Sequence, residues 1–213
     1  DTITQELYHV GSREKISLLL GILKRDNPKS VLFFTNMKCD AERLSKRLEL
    51  NGYPNEFLTG DLAQSRRLRI IDDFKSGKVL FLVATDVAAR GLHIEGLDMV
   101  VNYDLPGESE NYVHRIGRTA RAGKSGKAVT LACEKYVINL EGIEKLINAK
   151  IPVVFPEDDM FMRDRSRGMI FPRSGAPAGR SSRPGQPHGG RPQGGRSRGS
   201  RPGGGRSRHE QRR

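Results

Sequence analysis

Along the first 150 residues, short apolar runs rich in β-branched and aromatic side chains alternate with stretches in which apolar residues recur every three or four positions. The runs predict strands at 3–10, 31–36, 56–59, 79–85, 99–103 and 128–133. The stretches between them predict helices. Ser12 stands where an N-cap is expected, ahead of a face formed by Ile16, Leu19, Leu20 and Leu23, and Pro28 closes that connection. Positions 41–50 repeat the pattern with Leu44 and Leu48, and Gly52 follows where a left-handed cap belongs. Positions 65–75 place Leu68, Ile71 and Phe74 on one face and stop at Gly77; positions 136–147 form a last amphipathic helix, ended before Pro152. Strands alternating with helices are the signature of βαβ units, so the expected fold class is α/β, a doubly wound parallel sheet with helices on both faces.

After about residue 155 the periodicity fades, and from Arg163 onward the chain is Arg, Gly, Pro, Ser and Gln with Phe171 its only aromatic residue. Such a segment buries too little apolar surface to offset its chain entropy and is expected to be disordered. The domain reading is therefore 1–155 for the folded body and 156–213 for a basic tail. Charge sharpens this division. The net charge of +12 lies entirely in residues 163–213, which hold 14 arginines, no lysine and two acids, whereas the first 162 residues hold 23 basic and 23 acidic side chains. A neutral body with an arginine tail points to a nucleic-acid partner. No run of some 18 apolar residues and no basic start followed by an apolar stretch occurs, so neither a membrane span nor a signal peptide is expected, and the cytoplasm is the expected compartment. Cys39 and Cys133 are far apart and lack ligand-spaced partners, which reads as reduced, structural thiols and no metal site.

In open α/β sheets ligands bind at the carboxyl ends of the strands, and polar residues collect there: Thr35 and Asn36, Thr59, Gly60 and Asp61, Thr85 and Asp86, and Asp104. Each pair alone also suits a turn or a helix start. The sharpest local signal is HRIGRTARAG at 114–123. On a helix His114, Arg118 and Arg121 would share one face, with Arg115 beside them; the cluster suits either a solvated basic surface or a dense anion that guanidinium forks can clasp. Gly123, Lys124 and Ser125 imitate the end of a phosphate-cradling loop, but the leading glycine would fall at Arg118 and a strand follows, so the chain holds no self-sufficient P-loop.

Together with ATDVAARGLHI at 84–94, SVLFFTN at 30–36, Gln64 with Arg67, and VVNYDLP at 100–106, the segment HRIGRTARAG resembles the conserved motifs of the second RecA-like domain of DEAD-box RNA helicases. The likeness covers about residues 3–150 and within that family is strongest to bacterial members of the RhlB type. It implies a RecA-like domain that works with a separate N-terminal RecA-like domain carrying the Walker A loop and the carboxylates that hold Mg²⁺. ATP would bind in the cleft between the two, and closure over single-stranded RNA would melt a short duplex. By that resemblance Arg118 and Arg121 contact the γ-phosphate, with Arg121 as arginine finger. His93, His114, Arg115 and Gly117 belong to the ATP site and the interdomain face. Thr35, Asn36, Gly60, Asp61, Gln64, Arg67, Thr85 and Asp86 line or support the RNA track. Where His93 stands the family usually has Asp, and Ala120 replaces a commoner Gly, which is harmless only if the backbone there is helical.

This chain alone should hydrolyse no ATP. The implied partners are RNA, the N-terminal RecA-like domain, and an RNA-degradation complex such as an endoribonuclease scaffold. Two other readings remain open: a module that binds RNA and protein without chemistry, and a DNA helicase domain of the same superfamily.

Overall fold

A computed structural model describes residues 2–120 and 125–171. Six strands, β1 (Ile3–His9), β2 (Val31–Thr35), β3 (Glu56–Leu58), β4 (Phe81–Thr85), β5 (Met99–Asn102) and β6 (Gly126–Ala132), form one sheet in the order β1-β6-β5-β2-β4-β3. Every pairing is parallel. All six lie within two residues of the expected spans. The helices are α1 (Lys15–Asp26), α2 (Lys38–Leu50), α3 (Gln64–Lys75), the short α4 (Asp86–Ala89), α5 (Ser109–Ile116) and α6 (Leu140–Ile147).

The period of two along each strand divides the core. Val31, Phe33, Val83, Met99, Val101, Val129 and Leu131 face α1 and α2. Leu32, Phe34, Leu82, Ala84 and Val100 face α3 and the chain after α4, while Leu7, Ala128 and Ala132 face α5 and α6. Central strands β2, β4 and β5 are buried along their whole length, as expected of a parallel sheet covered on both faces. Gly52 takes φ +91° just past α2, where an L side chain would be strained.

Three local expectations differ from the structure. Ser12 does not cap α1; the Gly11 carbonyl accepts from the Glu14 and Lys15 N–H groups, and the Ser12 N–H goes to Glu134. Leu68 is 51% exposed and Ile70 takes its place in the core, because α3 buries a narrower stripe than the pattern suggested. The helix holding His114 begins at Ser109 and ends at Ile116, so 117–120 is not helical.

The packed body also runs past residue 155. Val153 bridges the free edge of β1, with Leu7 N–H donating to the Pro152 carbonyl and Val154 N–H to the Leu7 carbonyl, both at 2.8 Å. Met160, Phe161 and Met162 then pack on the α1/α2 core. Gly21 permits this approach: a Cβ there would lie 1.9 Å from the Met160 carbonyl oxygen. Asp164 closes the strap, accepting from Asn51 Nδ2 at 2.8 Å and from both the Ser166 hydroxyl and N–H. Residues 156–171, which the sequence assigns to the tail, thus lie on the body; residues 172–213 fall outside the described residues.

Candidate nucleotide and nucleic-acid site

Because every strand runs the same way, the sheet brings Thr35, Asn36, Thr59, Gly60, Thr85, Asp86 and Asp104 to a single carboxyl edge. Gly60, Asp61 and Gln64 are exposed there, Asp61 paired with Lys38 and Gln64 opening α3. Thr35 and Thr85 are buried, and the Thr35 hydroxyl donates to the Met37 carbonyl, which shapes the turn into α2. Arg67 reaches from α3 to the Ala88 carbonyl at 2.7 Å and thereby ties α3 to α4.

The centre of this edge is Arg115, whose side chain is 1% exposed. Its Nε and one terminal nitrogen clasp Asp86 at 2.7 Å each. The remaining N–H groups reach Asn36 Oδ1 at 3.0 Å, the Asp104 carbonyl at 2.6 Å and Asn102 Oδ1 at 3.4 Å. The guanidinium also lies over the Phe34 ring, 5.0 Å from its centroid. All five donors are used within the domain. Arg115 therefore has no donor free for a partner domain, and the structure places it as the tie between the ends of β2, β4 and β5. Asn36 completes the tie, donating its backbone N–H to Asp104 Oδ2 and its amide to the Leu105 carbonyl at 2.8 Å.

Past α5 the chain turns at Gly117, and Arg118 lies off the helix axis, so the single face expected for His114 and Arg118 does not form. Instead Arg118 donates to the Leu92 carbonyl at 2.8 Å, while Leu97 and Thr119 form a short parallel bridge reinforced by the Thr119 hydroxyl on the Leu97 carbonyl. This stitches 90–97 to 117–120 and brings Arg118 to the segment that holds His93. Leu97 precedes β5 and Thr119 precedes β6, so these residues lie on the helical face toward the amino edge, apart from the row at the carboxyl edge. His93 and His114 are exposed, Gly117 and Arg118 half-buried. Ala120 is buried with φ +52°. Arg121 lies outside the described residues.

Sequence reasoning missed Lys15. It occupies the buried stripe of α1 with Leu18, Leu19 and Ile22, is 3% exposed, and pairs with Asp104 Oδ1 at 2.7 Å over the ring of Tyr103. Burial, and then the nearby Asp104 carboxylate, push the Tyr103 hydroxyl far above its ordinary pKa. The signal was present in the spacing, since Lys15 precedes Leu18, Leu19 and Ile22 by three, four and seven. Cys39 and Cys133 are both free thiols, and no metal-ligating cluster occurs among the described residues. No helix among them is long and apolar enough to cross a membrane.

The family model for the helicase conserved C-terminal domain matches residues 14–123. The chain is 46% identical over 162 residues to the ATP-dependent RNA helicase RhlB of Shewanella pealeana, covering 76% of this chain and 37% of that protein. It is 44% identical over 181 residues to RhlB of Shewanella piezotolerans, covering 85% and 41%. It thus spans about two fifths of the length of these relatives. Among solved structures, Escherichia coli DEAD-box protein SrmB bound to regulator of ribonuclease activity A superposes with TM-score 0.70 at 32% identity, covering 76% of this chain and 96% of that one. Saccharomyces cerevisiae Dbp5 bound to RNA and ADP BeF3 superposes with TM-score 0.65 at 34% identity, covering 73% and 42%. The sheet order, the tied carboxyl edge and these likenesses agree: the chain belongs to the DEAD-box RNA helicases, as a RecA-like helicase C-terminal domain similar to that of RhlB.

Proposed function

We propose that this domain is the arginine-supplying half of a composite ATPase and carries half of an RNA track, so that ATP bound between it and an N-terminal RecA-like domain closes the pair over single-stranded RNA. The observation that carries the reading is the separation of two polar sets on one rigid sheet. The exposed carboxyl-edge groups Gly60 and Gln64 offer backbone and amide donors that suit phosphates and 2′-hydroxyls, Asp61 beside them offers an acceptor for a 2′-hydroxyl, and Thr35, Asn36, Arg67, Thr85 and Asp86 hold the edge behind them. Arg118 is held on the Leu92 carbonyl beside His93, and His114 is exposed on α5; in this reading a nucleotide held by a second domain meets these three. Arg115 supports the carboxyl-edge set from within. Arg121 is assigned as arginine finger on the family motif.

Mg²⁺ and the Walker A lysine belong to the other domain in this reading, since phosphoryl transfer needs both and this sequence carries no loop for either. Protein partners in RNA turnover and a cytoplasmic setting fit the same picture: the SrmB relative is bound to a regulator of ribonuclease activity. The test is ATP turnover by the purified 213-residue chain with saturating RNA. We expect none above background; RNA-stimulated turnover that persists through further purification would show that the chain holds a complete site and overturn the half-site reading.

A further inference from the structure

We propose that Lys15 is a positioning residue for the RNA track, acting through Asp104; this rests on the reading of the carboxyl edge as that track. Asp104 is buried and has a different partner on each oxygen: Lys15 Nζ at 2.7 Å on Oδ1 and the Asn36 backbone N–H at 3.2 Å on Oδ2. Its own carbonyl accepts from Arg115, which holds Asp86. The carboxylate therefore links the end of β5 to the end of β2, and through Arg115 to the end of β4. Lys15 approaches from the other face of the sheet, out of α1, with Tyr103 against its ammonium and Cys133 Sγ 4.0 Å away.

Stability alone does not call for this pair. Lys15 sits on an apolar stripe, where a leucine or methionine would pack, and a buried ion pair is often no more stabilising than an apolar replacement. What the ammonium contributes is orientation. It holds one carboxylate oxygen so that the other faces the Asn36 N–H, the first backbone group beyond β2. Without it, Asp104 is a buried charge lacking its counter-ion, and it regains solvation by turning toward the cleft bordered by Ser12, Arg43 and Lys135. That turn releases Asn36 and loosens the track, while Arg118 on the far helical face keeps its contact with Leu92.

The test uses the full-length helicase, with single-stranded polyuridylate as the RNA. Lys15→Met should raise the RNA concentration for half-maximal ATPase about five- to tenfold, the weight of one or two lost hydrogen bonds, with kcat at saturating RNA little changed. The reciprocal variant Asp104→Asn, which strands the ammonium, carries the same expectation should Lys15→Met fail to fold. The double variant Lys15→Met/Asp104→Asn should recover most of the affinity, because a neutral amide oxygen accepts from Asn36 without a counter-ion. Unchanged RNA affinity in a folded single variant overturns the proposal. So does a loss that the double variant does not recover. Gln64→Ala separates this failure from failure of the track reading: if it weakens RNA binding while Lys15→Met does not, only the positioning role falls, and if neither weakens it, the track reading falls first.

Discussion

Ala120 shows how one residue records a constraint that its neighbours impose. Its φ of +52° occurs where Thr119 is fixed on Leu97 and Gly126 lies so close that a Cβ on it would meet Ala120 N at 2.5 Å. The left-handed conformation costs an L residue about 1–2 kcal/mol. Glycine there would relieve that strain but lose roughly 0.8 kcal/mol of methyl burial and about 0.5–1 kcal/mol to chain entropy, so the two residues come out nearly even. A β-branched side chain has no such balance. Ala120→Val should destabilise the domain by about 2–4 kcal/mol, adding overpacking to strain, as read from chemical denaturation. A cost below about 1 kcal/mol would mean that the backbone at Ala120 relaxes and does not constrain the residues before it. The sequence flagged the position, because a glycine is commoner there in the family, but the sign of φ was not legible from it. The same limit applied to Arg115: a cluster of arginines shows cationic character, and only the fold shows that Arg115 is saturated inside while Arg118 faces a nearby loop.

Among the elements, the strands were the most legible, since an apolar run bounded by polar residues leaves little choice when both faces are covered. Helix ends were less so. Local signals such as Ser12 compete with tertiary partners, and Glu134, 122 positions away, took the Ser12 N–H. The strap over 156–171 was misread because its composition resembles the tail that follows; the clue was Met160, Phe161 and Met162 within a charged segment. Asp164 anchors that strap. Burial pushes its carboxyl up, but hydrogen bonds from Ser166 and Asn51 and the charge of Arg47 outweigh this, and its pKa lies below the ordinary Asp value. A depressed folded pKa contributes stability that is present above the unfolded value, near 4, and is lost as pH falls through the folded one. The melting temperature of the wild-type domain should therefore exceed that of Asp164→Asn at pH 6, and the gap should close on acidification below about pH 4. A gap that is constant from pH 6 to pH 3 would show that Asp164 holds the strap without its charge.

For the whole molecule, charge and fold divide the labour. The folded body to residue 171 carries a net charge of only +2, whereas residues 172–213 carry +10, with 11 arginines against one acid. We assign the segment 172–213 as a sequence-tolerant RNA anchor, since guanidinium pairs with phosphate and stacks on bases. Its removal should weaken RNA binding at low salt and flatten the log-log salt dependence by about 0.7 per phosphate no longer neutralised, with the melting temperature of the body unchanged. Equal affinity and slope in the truncated chain would place the contacts in the body. Truncation at 171 is the informative cut, because a cut at 155 would also remove the strap.

Whether this domain supplies the charge that stabilises phosphoryl transfer in a site shared with another domain is decided by RNA-stimulated ATPase in the full-length helicase carrying Arg121→Ala. An arginine finger acts on charge that appears in the transition state and contributes on the order of 10³ to 10⁵ in rate. In that variant kcat should fall by this factor, with ATP and RNA binding and the folded state retained. A kcat near that of the wild type would contradict it and return the arginines after α5 to a solvated basic surface.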